Sequence, residues 1–166
     1  YTFDEEAGTK QSQLVEHLFS LIAQVKEETA LENEKRTSEA KKGTEPQLVT
    51  LDEQIASLKK LFEQIDSDNL SFYQRIPNNF FQIVFSMSDD ERTTIKNEST
   101  RLILEEMKNP IRINRLNEVR QDAYDEASFL NLSTDQTQAI RYILNQGIVI
   151  NSVLNEKRTE ELQQEA

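Results

Sequence analysis

The segment Thr50-Leu51-Asp52-Glu53-Gln54-Ile55-Ala56-Ser57-Leu58-Lys59-Lys60-Leu61-Phe62-Glu63-Gln64-Ile65 decides the fold. Thr50 stands three residues before Glu53, so a hydroxyl and a carboxylate can cap the first turn of a helix reciprocally. Leu51, Ile55, Leu58, Phe62 and Ile65 then recur at steps of four and three. That spacing places one apolar seam along a helix, suited to antiparallel packing in a bundle. The same Ser/Thr-x-x-Glu/Gln signal recurs at Ser88-Asp89-Asp90-Glu91 and at Ser133-Thr134-Asp135-Gln136, each followed by a periodic apolar pattern.

Working outward, the first helix is predicted over about 10–38. Leu14, Leu18, Leu21, Ile22 and Val25 share one face. Beyond Val25 the same face carries Thr29, Glu32 and Arg36, so its stripe turns polar while the helical pattern continues. Either the helix projects past its bundle into solvent, or these residues form a polar patch inside it. Lys41, Lys42, Gly43 and Pro46 mark the loop that follows. The seam segment is expected to be helical over about 51–67, ended by Asp66-Ser67-Asp68-Asn69. Phe72, Tyr73, Phe80, Phe81 and Phe85 form an aromatic cluster expected in the core, with Pro77 at the first turn of a short helix. Further helices are predicted over about 89–108 (Ile95, Leu102, Ile103, Met107), 111–130 and 134–163. In the 111–130 helix Arg120 falls inside the apolar arc, so its guanidinium needs a partner such as Glu28 or Asp66, or else lines a pocket. The last helix is apolar on two sides. Tyr142, Val149 and Val153 oppose its main stripe and are a candidate homodimer surface.

The composition agrees with an all-α, up-and-down antiparallel helical bundle of about five to six helices, read as one domain over 1–166. The chain of 166 residues has three Gly and three Pro, too few for the turns of a β-sandwich or barrel. It has no Cys, no Trp and one His, which excludes disulfide scaffolds, zinc fingers, iron–sulfur sites and cysteine nucleophiles. No Gly-rich phosphate loop can be built from three isolated glycines. A helical di-iron site needs two histidines. His17 lies off the apolar face of the first helix, with no Ser/His/Asp set around it. No catalytic residue, metal site or cofactor is therefore expected, and the chain reads as a binding protein, not an enzyme. Its formal net charge of −11 repels phosphate backbones and excludes nucleic acid as a partner. No apolar run approaches the ~20 residues of a membrane span. The sequence begins at Tyr1, which reads as an excised piece or a processed product.

Leu21-Ile22-Ala23-Gln24-Val25-Lys26-Glu27-Glu28-Thr29-Ala30-Leu31-Glu32 resembles the first-helix motif of the bacterial nitrate- and nitrite-sensing (NIT) domain family, roughly Leu-Val-x-x-Leu-Gln-x-Glu-Arg-Gly-Leu-Ser. Leu21, Ile22, Val25, Glu28 and Leu31 match in type. Ile113, Leu116, Val119 and Arg120 are similar to a later segment of that family, and Tyr142 to the aromatic of its next helix. Thr29 stands where the family has its signature Arg, Ala30 replaces its Gly and Lys26 its Gln. The resemblance implies an all-helical, ligand-sensing domain on the periplasmic, extracytoplasmic side of an inner-membrane receptor of chemoreceptor or histidine-kinase type. It implies flanking transmembrane helices and a small-molecule ligand, such as a small anion, bound between helices. Thr29, Glu32, Arg36 and Arg120 are the expected pocket walls. A rival reading rests on Leu132-Ser133-Thr134-Asp135-Gln136, which resembles the Leu-Thr-x-x-Gln signature of periplasmic Spy-like stress chaperones. It implies a periplasmic or secreted interaction protein with no small-molecule ligand. A helical adaptor or effector fragment is the third reading.

Overall fold

In the computed structural model, which describes residues 5–108, 131–146 and 163–164, the chain is an all-α, up-and-down bundle. Among the described residues there are six helices and no strand. They are α1 (Glu5–Glu39), α2 (Leu51–Phe62), α3 (Ser67–Gln74), α4 (Asn78–Phe85), α5 (Asp89–Lys108) and α6 (134–146). The expected helix over 111–130, with Arg120, lies outside the described residues, as do Val149 and Val153.

α1 has 35 residues, about 52 Å at 1.5 Å per residue, and is the spine of the bundle. Its stripe of Leu14, Leu18, Ile22 and Val25 is buried to 5% exposure or less. The chain turns back at Gly43, whose φ of +84° lies in the region that L side chains avoid. The Thr44 N–H closes that turn on the Lys41 carbonyl at 2.9 Å. Returning along α1, the loop is pinned twice. Asn33 Oδ1 accepts the Val49 N–H at 2.8 Å, and Arg36 Nη1 donates to the Gln47 carbonyl at 3.0 Å.

α2 starts at the expected capping box: Thr50 Oγ1 accepts the Glu53 N–H at 3.1 Å and Glu53 Oε1 accepts the Thr50 N–H at 3.3 Å. It stops at Phe62 rather than near residue 67. Asp66 takes an extended conformation and its carboxylate accepts the Asn69 N–H at 3.1 Å, so the acidic run expected to end α2 instead caps a new helix, α3. Pro77 caps α4 from outside it, without a side-chain hydrogen bond. The other two boxes also form, at Ser88/Glu91 and Ser133/Gln136.

The aromatic cluster is core. Phe72, Tyr73, Phe80, Phe81 and Phe85 are all at most 2% exposed. Tyr73 stacks on Phe62 with centroids 4.8 Å apart, and its hydroxyl donates to the Leu14 carbonyl at 3.1 Å. That bond fixes α3 against the first half of α1. α6 is placed at both ends: Gln136 Nε2 donates to the Glu91 carbonyl (3.4 Å), and Gln11 Nε2 donates to the Ile143 carbonyl (2.9 Å). Tyr142 is half-buried within the bundle, 6.5 Å from the Phe80 ring, and its hydroxyl accepts from Asn79 and Gln138. Intramolecular packing thus accounts for the position of Tyr142.

Candidate functional site

A cavity of about 950 Å³ lies between α1 and the turn that joins α4 to α5. Its α1 wall is centred on the row Phe19, Ala23, Lys26, Ala30 and Asn33, with Glu16, Ser20, Glu27 and Thr29 beside it. At about 100° per residue this row runs roughly 100° around the helix from the core stripe of Leu18 and Val25. α1 therefore uses one stripe for the core and a neighbouring one for the cavity. The facing wall carries Met87, Arg92 and Lys96. Arg92 and Lys96 belong to the same α5 stripe as the buried Ile95, Leu102 and Ile103, so the polar positions of an apolar face line the opening.

Arg92 is only 6% exposed. Its guanidinium donates to the Met87 carbonyl and to the Asp89 carboxylate, which ties the start of α5 to the preceding turn. The Asp89 side chain is itself 90% exposed, so that ion pair adds little to stability and serves mainly to hold the arginine. Lys26 sits half-buried with its ammonium 5.7 Å from the centroid of the Phe85 ring. Burial lowers its pKa from the usual lysine value; the Arg92 charge lowers it further, and Asp89 opposes the shift. Among the described residues the Lys26 and Lys96 ammoniums have no hydrogen-bond or ion-pair partner.

Of the expected pocket walls, Thr29 lines this cavity. Glu32 and Arg36 stand apart from it. Arg36 Nε donates to Glu32 Oε1 at 3.0 Å, its Nη1 holds the Gln47 carbonyl, and its Nη2 is 4.0 Å from Glu53. Their described contacts clip the α1–α2 loop to α1. Extending the core stripe past Val25 leads to Glu32 and Arg36, whereas the cavity opens on the adjacent stripe. The residues that this extension misses are Lys26, Arg92 and Lys96. The signal for the last two was a cation within the apolar periodicity of α5, the same signal that singled out Arg120.

A smaller cavity of about 340 Å³ lies among α2, α3 and α4, walled by Phe62, Leu70, Tyr73, Ile76 and Phe81. Lys59 Nζ donates to Asn78 Oδ1 at 2.7 Å beside it. Its walls are the aromatic core itself, and it presents no comparable set of charges. Among the described residues no group of His, Cys, Asp and Glu could hold a metal ion, and no helix is long and apolar enough to cross a membrane.

An all-helical bundle with a large, mixed polar and apolar cavity between its two longest described helices has the make-up of a helical sensor domain. The chain belongs to the 7TM-HD extracellular family (7TMR-HDED), whose model matches residues 1–166. It is an extracytoplasmic sensor domain of a membrane receptor, not an enzyme, and the transmembrane helices of that receptor lie elsewhere. This is the class of protein that the resemblance to the NIT domains implied. No curated protein and no solved structure matches the chain.

Proposed function

We propose that this domain senses a small molecule in the cavity between α1 and α5, on the periplasmic side of a bacterial inner-membrane receptor. The cavity carries the reading. Its volume of about 950 Å³ falls within the range typical of ligand sites, and it mixes apolar wall with a few polar groups. Thr29 is a contact residue in this reading, and Glu32 and Arg36 hold the loop behind it. Arg120 is proposed as a further wall, from its place in the sequence pattern alone. A ligand that bridges α1 and α5 changes the fit of the two longest described helices, and a shift of one against the other is the motion passed to the membrane. The family's name supports a 7TM receptor; a chemoreceptor or histidine-kinase type of output is the reading from sequence.

The test is a thermal-shift screen of amino acids, organic acids, small anions and neutral metabolites against the 166-residue chain. A ligand at a hundredfold excess over its Kd adds about 2.7 kcal/mol, or roughly 8 °C for a domain of this size. Ala23→Trp, which fills the cavity from an exposed position on α1, should abolish the shift. No hit at millimolar concentration, or a hit indifferent to Ala23→Trp, refutes the site.

A further inference from the structure

The charges in the cavity are sorted. Lys26 enters from α1 and Lys96 from α5, with the buried guanidinium of Arg92 on the same wall as Lys96. Asp89, the acid of α5 that lines the cavity, is engaged by Arg92 and turned to solvent. Glu16 also borders the cavity, but ten residues before Lys26, or about 15 Å along the helix. Glu27 follows Lys26 directly and also lines the cavity, but Glu16 and Glu27 are both exposed, whereas Lys26 and Lys96 are half-buried and Arg92 is buried. The three cations of the cavity wall are thus more buried than its three acids, and Lys26 and Lys96 have no ion-pair or hydrogen-bond partner among the described residues. Burial and the like charge of Arg92 both disfavour the Lys26 ammonium and lower its pKa. An anion among the cations offsets that penalty. Ala23 and Phe19 lie three and seven residues before Lys26 on the same row, so an apolar wall continues for about 10 Å along α1 from Lys26.

Resting on the reading of this cavity as the ligand site, we propose that it takes a small organic anion, its carboxylate or phosphate held between Lys26 and Lys96 and its apolar body along Ala23 and Phe19. Arg92 is a positioning residue here. Its guanidinium, fixed on the Met87 carbonyl and Asp89, sets the potential around Lys26. The chain's overall charge of −11 does not prevent this, because salt screens remote charges over about 8 Å while the three cations act at contact.

Two matched pairs of probes test it by calorimetry and thermal shift on the full 166-residue chain: hexanoate against hexanamide, and benzyl phosphate against benzyl alcohol. At least one anion should bind about tenfold or more tighter than its neutral partner. Which pair shows the preference separates a carboxylate ligand from a phosphate. Lys26→Gln and Lys96→Gln should each weaken that anion roughly tenfold, while Lys35→Gln, on exposed surface, leaves it unchanged. Melting of each unliganded variant confirms its fold, and the second lysine carries the test if one variant fails to fold. Neutral partners that bind as tightly as their anions in both pairs, or wild-type affinity in both lysine variants, overturn the proposal. If a neutral probe binds and Ala23→Trp removes it, the ligand site stands and only the charge assignment falls. No anion binding up to about 10 mM overturns the anion proposal, and no binding by any compound of the wider screen overturns the site as well.

Discussion

Removing one oxygen atom at Tyr73 gives a difference in stability that reverses with pH. Tyr73 is 1% exposed, stacked on Phe62 and edge-on to Phe72 at 5.1 Å, so Tyr73→Phe keeps nearly all of its packing. What is lost is the 3.1 Å hydrogen bond to the Leu14 carbonyl. That carbonyl lies inside α1, where the helix ladder also uses it, so no acceptor is stranded. The cost at neutral pH is therefore about 1 kcal/mol, or roughly 3 °C in Tm for a domain of this length. Burial also pushes the Tyr73 hydroxyl well above the usual phenol pKa of 10.0. A folded-state pKa raised in this way stabilises fully below the unfolded value and progressively less above it. Above about pH 10 the unfolded chain has released a proton that the folded chain still holds, and stability falls by about 1.4 kcal/mol per pH unit. The phenylalanine variant lacks this contribution, while all other titrations are common to both proteins. Wild type should thus lead by about 1 kcal/mol up to about pH 9, draw level between pH 10 and 11, and fall behind near pH 11. Urea unfolding followed by circular dichroism across that range measures the difference. A gap that stays constant from about pH 8 to pH 11 refutes the assignment of Tyr73 as a buried, neutral donor.

Thr50→Ala removes the hydroxyl that accepts the Glu53 N–H at 3.1 Å and should cost about 1 kcal/mol, while Thr50→Ser should retain most of it; equal Tm values for all three would refute the cap. Gln11 is fully buried and donates to the Ile143 carbonyl, but its Oε1 has no partner. Gln11→Met trades one hydrogen bond for relief of a stranded acceptor, so stability should stay within about 1 kcal/mol of wild type or rise; a loss above about 2 kcal/mol counts against this balance. Lys26→Gln should raise the unliganded Tm, because the fold disfavours the lysine's charge through burial and Arg92, with only Asp89 opposing. The sign follows from a lowered lysine pKa: the penalty is complete below the folded value and disappears as pH rises through the usual 10.5, where the two proteins should converge. A Tm below wild type at neutral pH would show that the contact of Lys26 with Phe85 outweighs that penalty.

The helices were legible wherever a local rule sufficed. The boxes at Thr50, Ser88 and Ser133 each start a helix within one residue of its predicted start, because capping involves groups only three residues apart. Asp66 shows where local rules compete. The same acidic run can end one helix or start another, and only the burial of Phe72 and Tyr73 behind it selects the second. Thr29 was found because it lies at the border between the core stripe and the cavity row of α1.

From the sequence alone came the all-helical class, the capped starts of α2, α5 and α6, the aromatic core and the absence of any cysteine or paired-histidine chemistry. These depend on composition and on periodicity within single segments. Which stripe of α1 faces the cavity depends on where α5 lies against it, and no pattern within α1 carries that information. Only the packed bundle brings Lys26 and Lys96, 70 positions apart in the sequence, to the same cavity while it assigns Glu32 and Arg36 to the loop. The physical reason is that a helix offers several faces at once, and its neighbours decide which one stays open.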